Sequence, residues 1–297
     1  MTLLVECVPN VSEGRDQKVI NQLITVIRET PQVRLLHVTS DADHHRSVFT
    51  FVGTPEGASE AAFRLVQKAA QLIDLRQHRG QHPRIGAADV VPFVPIGETS
   101  LDVCVALARQ LGERVGAELQ LPVYLYEAAA LRPERRLLAD VRRGEYEGLV
   151  ASIHRPESAP DFGPAQVGPA GAVIIGARRP LIAYNVFLAT SDAAIARKIA
   201  RAIRESAGGL PAVRALGLSV GGQAQVSINL TDYRVTSLYA VMQAVTKWAL
   251  HYGTTVDRSE LIGLIPEQAA LDALAAYLKL PSLSPDQVLY DSYNLDS

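Results

Sequence analysis

The alternation of apolar and polar positions in Leu3–Val8, with its β-branched residues, predicts a strand. Asn10 and Ser12 are placed to cap a following helix whose apolar face is Ile20, Leu23, Ile24 and Ile27, at helical spacing. Pro31 ends that helix. Val33–Val38 and Val48–Gly53 read as two further strands, joined by the polar stretch Thr39–Ser47. Pro55 opens a long helix with Ala62, Leu65, Val66, Ala69 and Ile73 on one face. A loop rich in Gly, His and Arg leads to a strand at Ala88–Pro95. The order is β-α-β-β-α-β.

The second half repeats it without residue-level similarity. Leu181–Leu188 is a strand, and Ser191 caps a helix with Ile195, Ile199 and Ile203 turned inward. Val213–Val220 and Ala224–Leu230 flank Gly221-Gly222, a strong hairpin signal. Leu238, Val241, Val245 and Trp248 mark a helix, Leu261–Ile265 a short strand, and a last helix follows Pro266. Between the halves, Leu101–Leu111 predicts a helix, Pro122–Tyr126 a strand, Pro133–Arg143 a charged helix and Val173–Ile175 a strand. The stretch Pro156–Pro169, with four prolines and two glycines, is an extended loop whose length points to function or a linker. The expected fold class is α+β: two split β-α-β, ferredoxin-like subdomains, residues 1–179 and 180–297, packed around a substrate cleft.

Composition narrows the classes. Of 297 residues, 48% are hydrophobic and 20% charged, which fits a globular protein. The net charge of −2 offers no global basic field for nucleic acid or anionic membrane. Two cysteines, Cys7 and Cys104, cannot build a disulfide framework or a four-sulfur metal site, and are expected reduced and buried. Glu6 interrupts the short apolar stretch at the N-terminus, so no signal peptide is read there, and no apolar run is long enough to cross a bilayer. The chain reads as cytoplasmic. Six of the seven histidines lie in the first 160 residues, which puts the titratable chemistry in the first half.

The densest candidate is Arg79-Gly80-Gln81-His82-Pro83-Arg84-Ile85-Gly86. A residue before proline is driven out of the helical region, so His82 sits on extended backbone between two permissive glycines. An imidazole so placed can shuttle protons near neutral pH, and Arg79 and Arg84 would favour its neutral form. The plain alternative is a loop histidine making one turn hydrogen bond. Asp41-Ala42-Asp43-His44-His45-Arg46-Ser47 suggests a metal at first sight. Adjacent residues on extended backbone point to opposite faces, however, so a hairpin loop with aspartate as turn former is preferred to a metal site. Arg46 could still reach a carboxylate. Pro9-Asn10-Val11-Ser12 is a strand-to-helix junction able to hold an anion, or an ordinary cap. Gly176-Ala177-Arg178-Arg179 punctuates the boundary with two charges. Glycine-rich dinucleotide fingerprints, phosphate loops and nucleophile elbows are absent. Aromatic residues reach only 6%, and Ala224–Leu230 has none for stacking bases.

Taken together, Leu4–Gly14, His82-Pro83-Arg84-Ile85-Gly86-Ala87, Val123–Glu127, Ala159–Pro164 and Leu181–Asn185 resemble the glutamate formimidoyltransferase family, in animals the formiminotransferase part of formiminotransferase-cyclodeaminase. The resemblance covers nearly the whole chain in register. It implies two ferredoxin-like subdomains, and transfer of the formimino group of N-formimino-L-glutamate to N5 of tetrahydrofolate with release of L-glutamate, a step of histidine degradation. It implies that His82 is catalytic, and that Gly163, Pro164, Ala165, Gln166, Val167, Gly168, Pro169, Ala170, Gly171 and Ala172 form the folate-binding segment. Asn10, Ser12, Arg46, Arg84 and Arg178 are then expected around the substrate carboxylates. Tetrahydrofolate is co-substrate, no metal is expected, and neither nucleic acid nor membrane is a partner. The family suggests a homodimer. With no room read for a fused cyclodeaminase, a separate one is expected to consume the product. The rivals are a formyl transferase between 5-formyltetrahydrofolate and glutamate, a non-catalytic folate-binding protein, and, lowest, a metal-dependent hydrolase using Asp41, Asp43, His44 and His78.

Overall fold

The computed structural model describes residues 3–80 and 83–289. The chain divides into two compact units, residues 1–179 and 180–297. Its class is α+β, each unit being one sheet with helices packed against it.

In the first unit, β1 (Leu4–Cys7) and β2 (Asn10–Val11) form one interrupted strand bent at Val8-Pro9. Both pair antiparallel with β4 (Arg46–Gly53) on one side and β5 (Ala88–Ile96) on the other. β3 (Val33–Asp41) adds the outer edge beside β4. Beyond β5 the sheet continues in parallel through β7 (Val173–Ala177) to β6 (Val123–Glu127), giving seven strands. Helices α1 (Gln17–Arg28), α2 (Pro55–Leu72) and α3 (Leu101–Glu118) contribute to a core with Val5, Cys7, Phe49, Phe51, Val91 and Phe93 from the strands. Both cysteines are buried and free. The other face is partly covered by two short helices, α4 (Leu138–Val141) and α5 (Glu145–Ser152). Leu138, Val141 and Leu149 pack there on Val90, Tyr124, Tyr126 and Ile174.

The second unit holds β8 (Ile182–Leu188), α6 (Ala193–Ile203), β9 (Val213–Val220), β10 (Gln223–Leu230), α7 (Leu238–His251), β11 (Val256–Ile262) and α8 (Glu267–Leu278). Its antiparallel sheet runs β11-β8-β10-β9. Gly221 (φ +55°) and Gly222 (φ +78°) close the β9–β10 hairpin in the left-handed conformations that such two-residue turns require. Ile199, Ile203, Val241 and Val245 bury their side chains with Val186, Val213, Val226 and Ile228.

Local competition moved several boundaries. α1 is capped by Asp16, whose carboxylate accepts from the N–H groups of Lys18 and Val19. Asn10 and Ser12 are not its caps: Asn10 belongs to β2, and Ser12 Oγ donates to Gly86 O at 2.7 Å. Asp192, not Ser191, caps α6. The hairpin loop expected over Thr39–Ser47 shrinks to four residues, because ladder pairing carries β3 to Asp41 and β4 back to Arg46. α3 extends to Glu118. The charged helix expected over Pro133–Arg143 is a single tight turn at Pro133–Arg135 followed by α4, and α5 begins after Gly144, whose φ of +87° ends any continuous helix. The strand expected at Leu261–Ile265 lies earlier, as β11.

Candidate active site on the first sheet

The strand period decides which side chains share a face. Cys7, Phe49, Phe51, Val91 and Phe93 point into the helix-side core. Their alternates therefore occupy the opposite face: Glu6, Asn10, Arg46 and Thr50 by register with Val52, Val48 and Val90, and Tyr126 beside Gly176. Arg178, two residues past Gly176, joins them: its charge acts on both Tyr126 and Glu6. Three of the sequence-predicted carboxylate ligands, Asn10, Arg46 and Arg178, thus stand on one sheet face. Burial pushes the Tyr126 hydroxyl up to about 12 and raises the Glu6 carboxyl, with Arg178 opposing the latter.

Around Arg46 the face is strongly charged. Asp89 is almost fully buried; its Oδ1 accepts from Ile85 N at 2.7 Å, and its Oδ2 accepts from Arg142. Arg46 is pulled down to about 10, first by burial and then by Arg142, while Asp89 and Asp41 act the other way. On the hairpin loop, burial alone would raise the Asp41 carboxyl. The backbone N–H of His44, the His44 ring at 2.8 Å and the Asp43 N–H outweigh it and hold Asp41 below the ordinary range.

The loop after Leu75 is braced at both ends. Arg84 Nε donates to His78 Nδ1 at 3.3 Å. Guanidinium can only donate, so this fixes His78 Nδ1 as an acceptor, and its Nε2–H then donates to His45 O at 2.9 Å. Burial lowers the His78 pKa, matching that neutral tautomer. The rest of the Arg84 fork binds Glu147 at both oxygens (2.8 Å each) and Glu145 at 3.0 Å. These bonds hold Glu147 down at about 2 and raise Arg84. Arg84 is therefore not a free cation: two carboxylates of α5 offset its charge.

The segment 163–172 meets this same loop. Ala87 N donates to Ala170 O (2.8 Å), Ala172 N to Ile85 O (2.9 Å) and Leu75 N to Pro169 O (2.8 Å). Gly86 and Gly171 face each other in an isolated bridge. A Cβ on Gly86 would lie 1.7 Å from Ala172 O, and one on Gly171, at φ +71°, 2.1 Å from Ile85 O. Only glycine permits this approach. Tyr146 on α5 ties in from the side, its N–H to Arg84 O and its hydroxyl to Gly168 O. The segment's start is held by Asp161, buried against Arg135 at 2.6 Å and accepting from Leu125 N.

Among the predicted residues, Ser12 and Arg84 join the loop brace, Asn10, Arg46 and Arg178 the sheet face, and 163–172 the crossing beside Ile85–Ala87. Gly163, Ala165, Gln166 and Pro169 are solvent-exposed. His82 lies outside the described residues. Among the described residues no group of three or more His, Cys, Asp or Glu could hold a metal ion. Sequence reading passed over Asp89, Arg142, Glu145 and Glu147. Asp89 had left a signal: it is the single charge in the strand Ala88–Ile96.

Two α+β units, the first with an arginine-rich polar face joined to a glycine-bridged loop pair, define the class. Residues 4–178 match the formiminotransferase domain, N-terminal subdomain, and residues 183–286 match the formiminotransferase domain. The chain belongs to the formiminotransferase family. It is 49% identical over 290 residues to the glutamate formimidoyltransferase of Thermoplasma acidophilum, covering 96% of each chain. The glutamate formimidoyltransferase of Streptococcus pyogenes serotype M1 is 42% identical, over 99% of this chain and 100% of its own. The formimidoyltransferase-cyclodeaminase of Rattus norvegicus is 44% identical over 93% of this chain, which spans 53% of that longer protein.

Proposed function

We infer that this protein transfers the formimino group of N-formimino-L-glutamate to N5 of tetrahydrofolate, releasing L-glutamate, a step of histidine degradation. The observation that carries this is the near end-to-end likeness to a protein named for that activity. The reading takes residues 1–179 and 180–297 as the N- and C-terminal formiminotransferase subdomains. The strand orders support a ferredoxin-like description of both: β11-β8-β10-β9 in the second unit, and β5-β1-β4-β3 within the larger first sheet.

In this reading His82 is the catalytic acid and base. N5 attacks the formimino carbon to give a tetrahedral intermediate, N5 then loses a proton, and the glutamate nitrogen gains one as its bond to carbon breaks. One imidazole can take the first proton and deliver the second. Segment 163–172 holds the folate, and its backbone bonds to Ile85 and Ala87 support that placement beside the His82 loop. Arg46 and Arg178 hold substrate carboxylates with Asn10, while Ser12 and Arg84 act through the loop they brace. Arg84 can take a carboxylate only by exchange with Glu145. Much of the rate gain comes from orienting two bound substrates, with no metal required. We further take the enzyme to be a cytoplasmic homodimer whose product passes to a separate cyclodeaminase.

The test is ultraviolet detection of formimino-tetrahydrofolate products with purified protein and both substrates, beside N-formyl-L-glutamate as alternative donor. His82→Ala should lower kcat at least ~100-fold while folate still binds. Undiminished turnover in that variant removes His82 from the mechanism. Faster turnover of the formyl donor overturns the donor assignment.

A further inference from the structure

Glu6 puts a charge where a sheet seldom keeps one. It lies on β1, which has β4 on one side and β5 on the other, so it is not at an edge. The register sets Glu6 opposite Val94, and Phe93 opposite Ala177, so Arg178 comes level with Val94 on the same face. Arg178 N donates to Phe93 O at 3.0 Å, which keeps that row in the ladder. Glu6 and Arg178 therefore stand two strand spacings apart, roughly 10 Å between Cα atoms. The Arg178 charge acts on the Glu6 carboxyl, but among the described residues no ion pair or hydrogen bond reaches that carboxyl. Arg178 Nη1 turns instead to Arg179 O at 3.0 Å.

A partly buried carboxylate without a donor costs free energy that a ligand can return. This one is also within reach. Neither Glu6 oxygen is among the sealed polar atoms that lack a partner, so both unbonded oxygens open to solvent. An anion and a cation facing across an open gap match a ligand that carries the opposite charges a few bonds apart. N-formimino-L-glutamate is such a molecule: its protonated formimino group is an amidinium on the α-nitrogen, and the α-carboxylate hangs from the next carbon. Amidinium N–H groups donate to a carboxylate in strong, charge-assisted bonds. In N-formyl-L-glutamate a neutral oxygen replaces the terminal nitrogen. That oxygen only accepts, and set against Glu6 it would oppose one acceptor to another.

We propose that Glu6 is the residue that selects the formimino donor, accepting from its formimino nitrogen while Arg178 holds its α-carboxylate. This rests on the transferase reading above and deepens it, since Glu6 then separates the formimino donor from its formyl analogue. After transfer the same carboxylate faces the ammonium group of the released L-glutamate.

The test measures kcat/KM for N-formimino-L-glutamate and N-formyl-L-glutamate in wild type, Glu6→Gln and Glu6→Asp. Glu6→Gln keeps the shape and puts a donor in place of one acceptor. Expected is a loss of about 30-fold or more with the formimino donor, and with the formyl donor a gain or a change within about threefold. Glu6→Asp, which keeps the charge, should retain more of the formimino preference. Calorimetry gives a readout without turnover: Glu6→Gln should weaken L-glutamate binding about tenfold and leave glutarate, which lacks the nitrogen, within about twofold. An equal loss with both donors in a variant that melts cooperatively assigns Glu6 to structure, and the proposal falls. An unchanged donor ratio overturns it too, while leaving the transferase reading in place. Wild type must itself bind L-glutamate more tightly than glutarate, and equal affinities overturn the proposal whether or not a variant folds. If wild type turns over neither donor, yet prefers L-glutamate to glutarate and loses that preference in Glu6→Gln, the transferase reading fails and the paired-charge site stands. If wild type shows neither turnover nor L-glutamate binding, both are overturned.

Discussion

Gly86→Ala adds one methyl group where the Ile85–Ala87 loop crosses residues 170–172. The new Cβ would sit 1.7 Å from Ala172 O and 3.0 Å from Ala88 O. To reach even the closest separation that real Cβ atoms show, the two backbones must part by roughly 1.3 Å. The flanking bonds, Ala87 N to Ala170 O and Ala172 N to Ile85 O, start at 2.8 and 2.9 Å and do not survive that displacement. Each broken bond costs about 1 kcal/mol net, and up to about 3 where a buried group is left unpaired, so the loss should be ~2–6 kcal/mol. For a unit of this size that lowers Tm by roughly 5–15 °C. The control is Gly168→Ala in the same segment: Gly168 has nothing within 4 Å of the added atom, so its stability should stay within about 0.5 kcal/mol of wild type. Urea unfolding followed by fluorescence gives both values. On the proposed folate role, the KM for tetrahydrofolate should also rise in Gly86→Ala and not in Gly168→Ala. Equal unfolding midpoints for the two variants would refute the argument that this crossing has no room.

The His78 bonds predict a pH dependence. Burial lowers its folded pKa below the ordinary value of about 6.5, so over that window the unfolded chain binds the proton first. The His78 contribution is therefore complete above pH ~6.5 and falls away as the pH drops below it. Urea midpoints from pH 8 to 5 should fall less steeply in His78→Gln than in wild type; identical slopes would assign the dependence elsewhere. Asp161→Asn removes the charge facing Arg135 at 2.6 Å, where the two side chains are 2% and 5% exposed. A buried cation left uncompensated should cost ~3–5 kcal/mol, read as a large drop in Tm, and a change below about 1 kcal/mol would mean that Arg135 finds another acceptor.

The elements that build the two helix-covered sheets were legible because their apolar periods are long and clean, as in α2 and β9–β10. What stayed hidden obeys no local period. β11 carries Asp257, Arg258, Ser259 and Glu260, all exposed, and is a strand only because β8 offers it a ladder. α5 holds Gly148 and a short apolar face, so propensity could not announce it. Of the site, Asn10, Arg46 and Arg178 could be chosen from residue type, but their common face follows from register, which the sequence states only once the pairing is known. Asp89 and Arg142 are 53 residues apart in sequence and become partners only when α4 packs on the sheet face opposite the long helices. Glu145 and Glu147 look like an ordinary solvated helix start, and their work on Arg84 could not be read from position.

The two units share an order of elements but not a division of labour. The second ends its sheet at four strands; the first goes on past β5 into α3, β6, α4, α5 and β7. Arg142, Glu145, Glu147, Tyr146 and the segment 163–172 all belong to that addition, while Arg46, His78 and Arg84 belong to the part both units have in common. The proposed binding surface is therefore composite, part shared element order and part addition. Cutting the first unit back to its four-strand minimum would leave a sheet that still carries Arg46, with the loop after Leu75 kept by Ser12 and His45 but stripped of Glu145, Glu147, Tyr146 and residues 169–172.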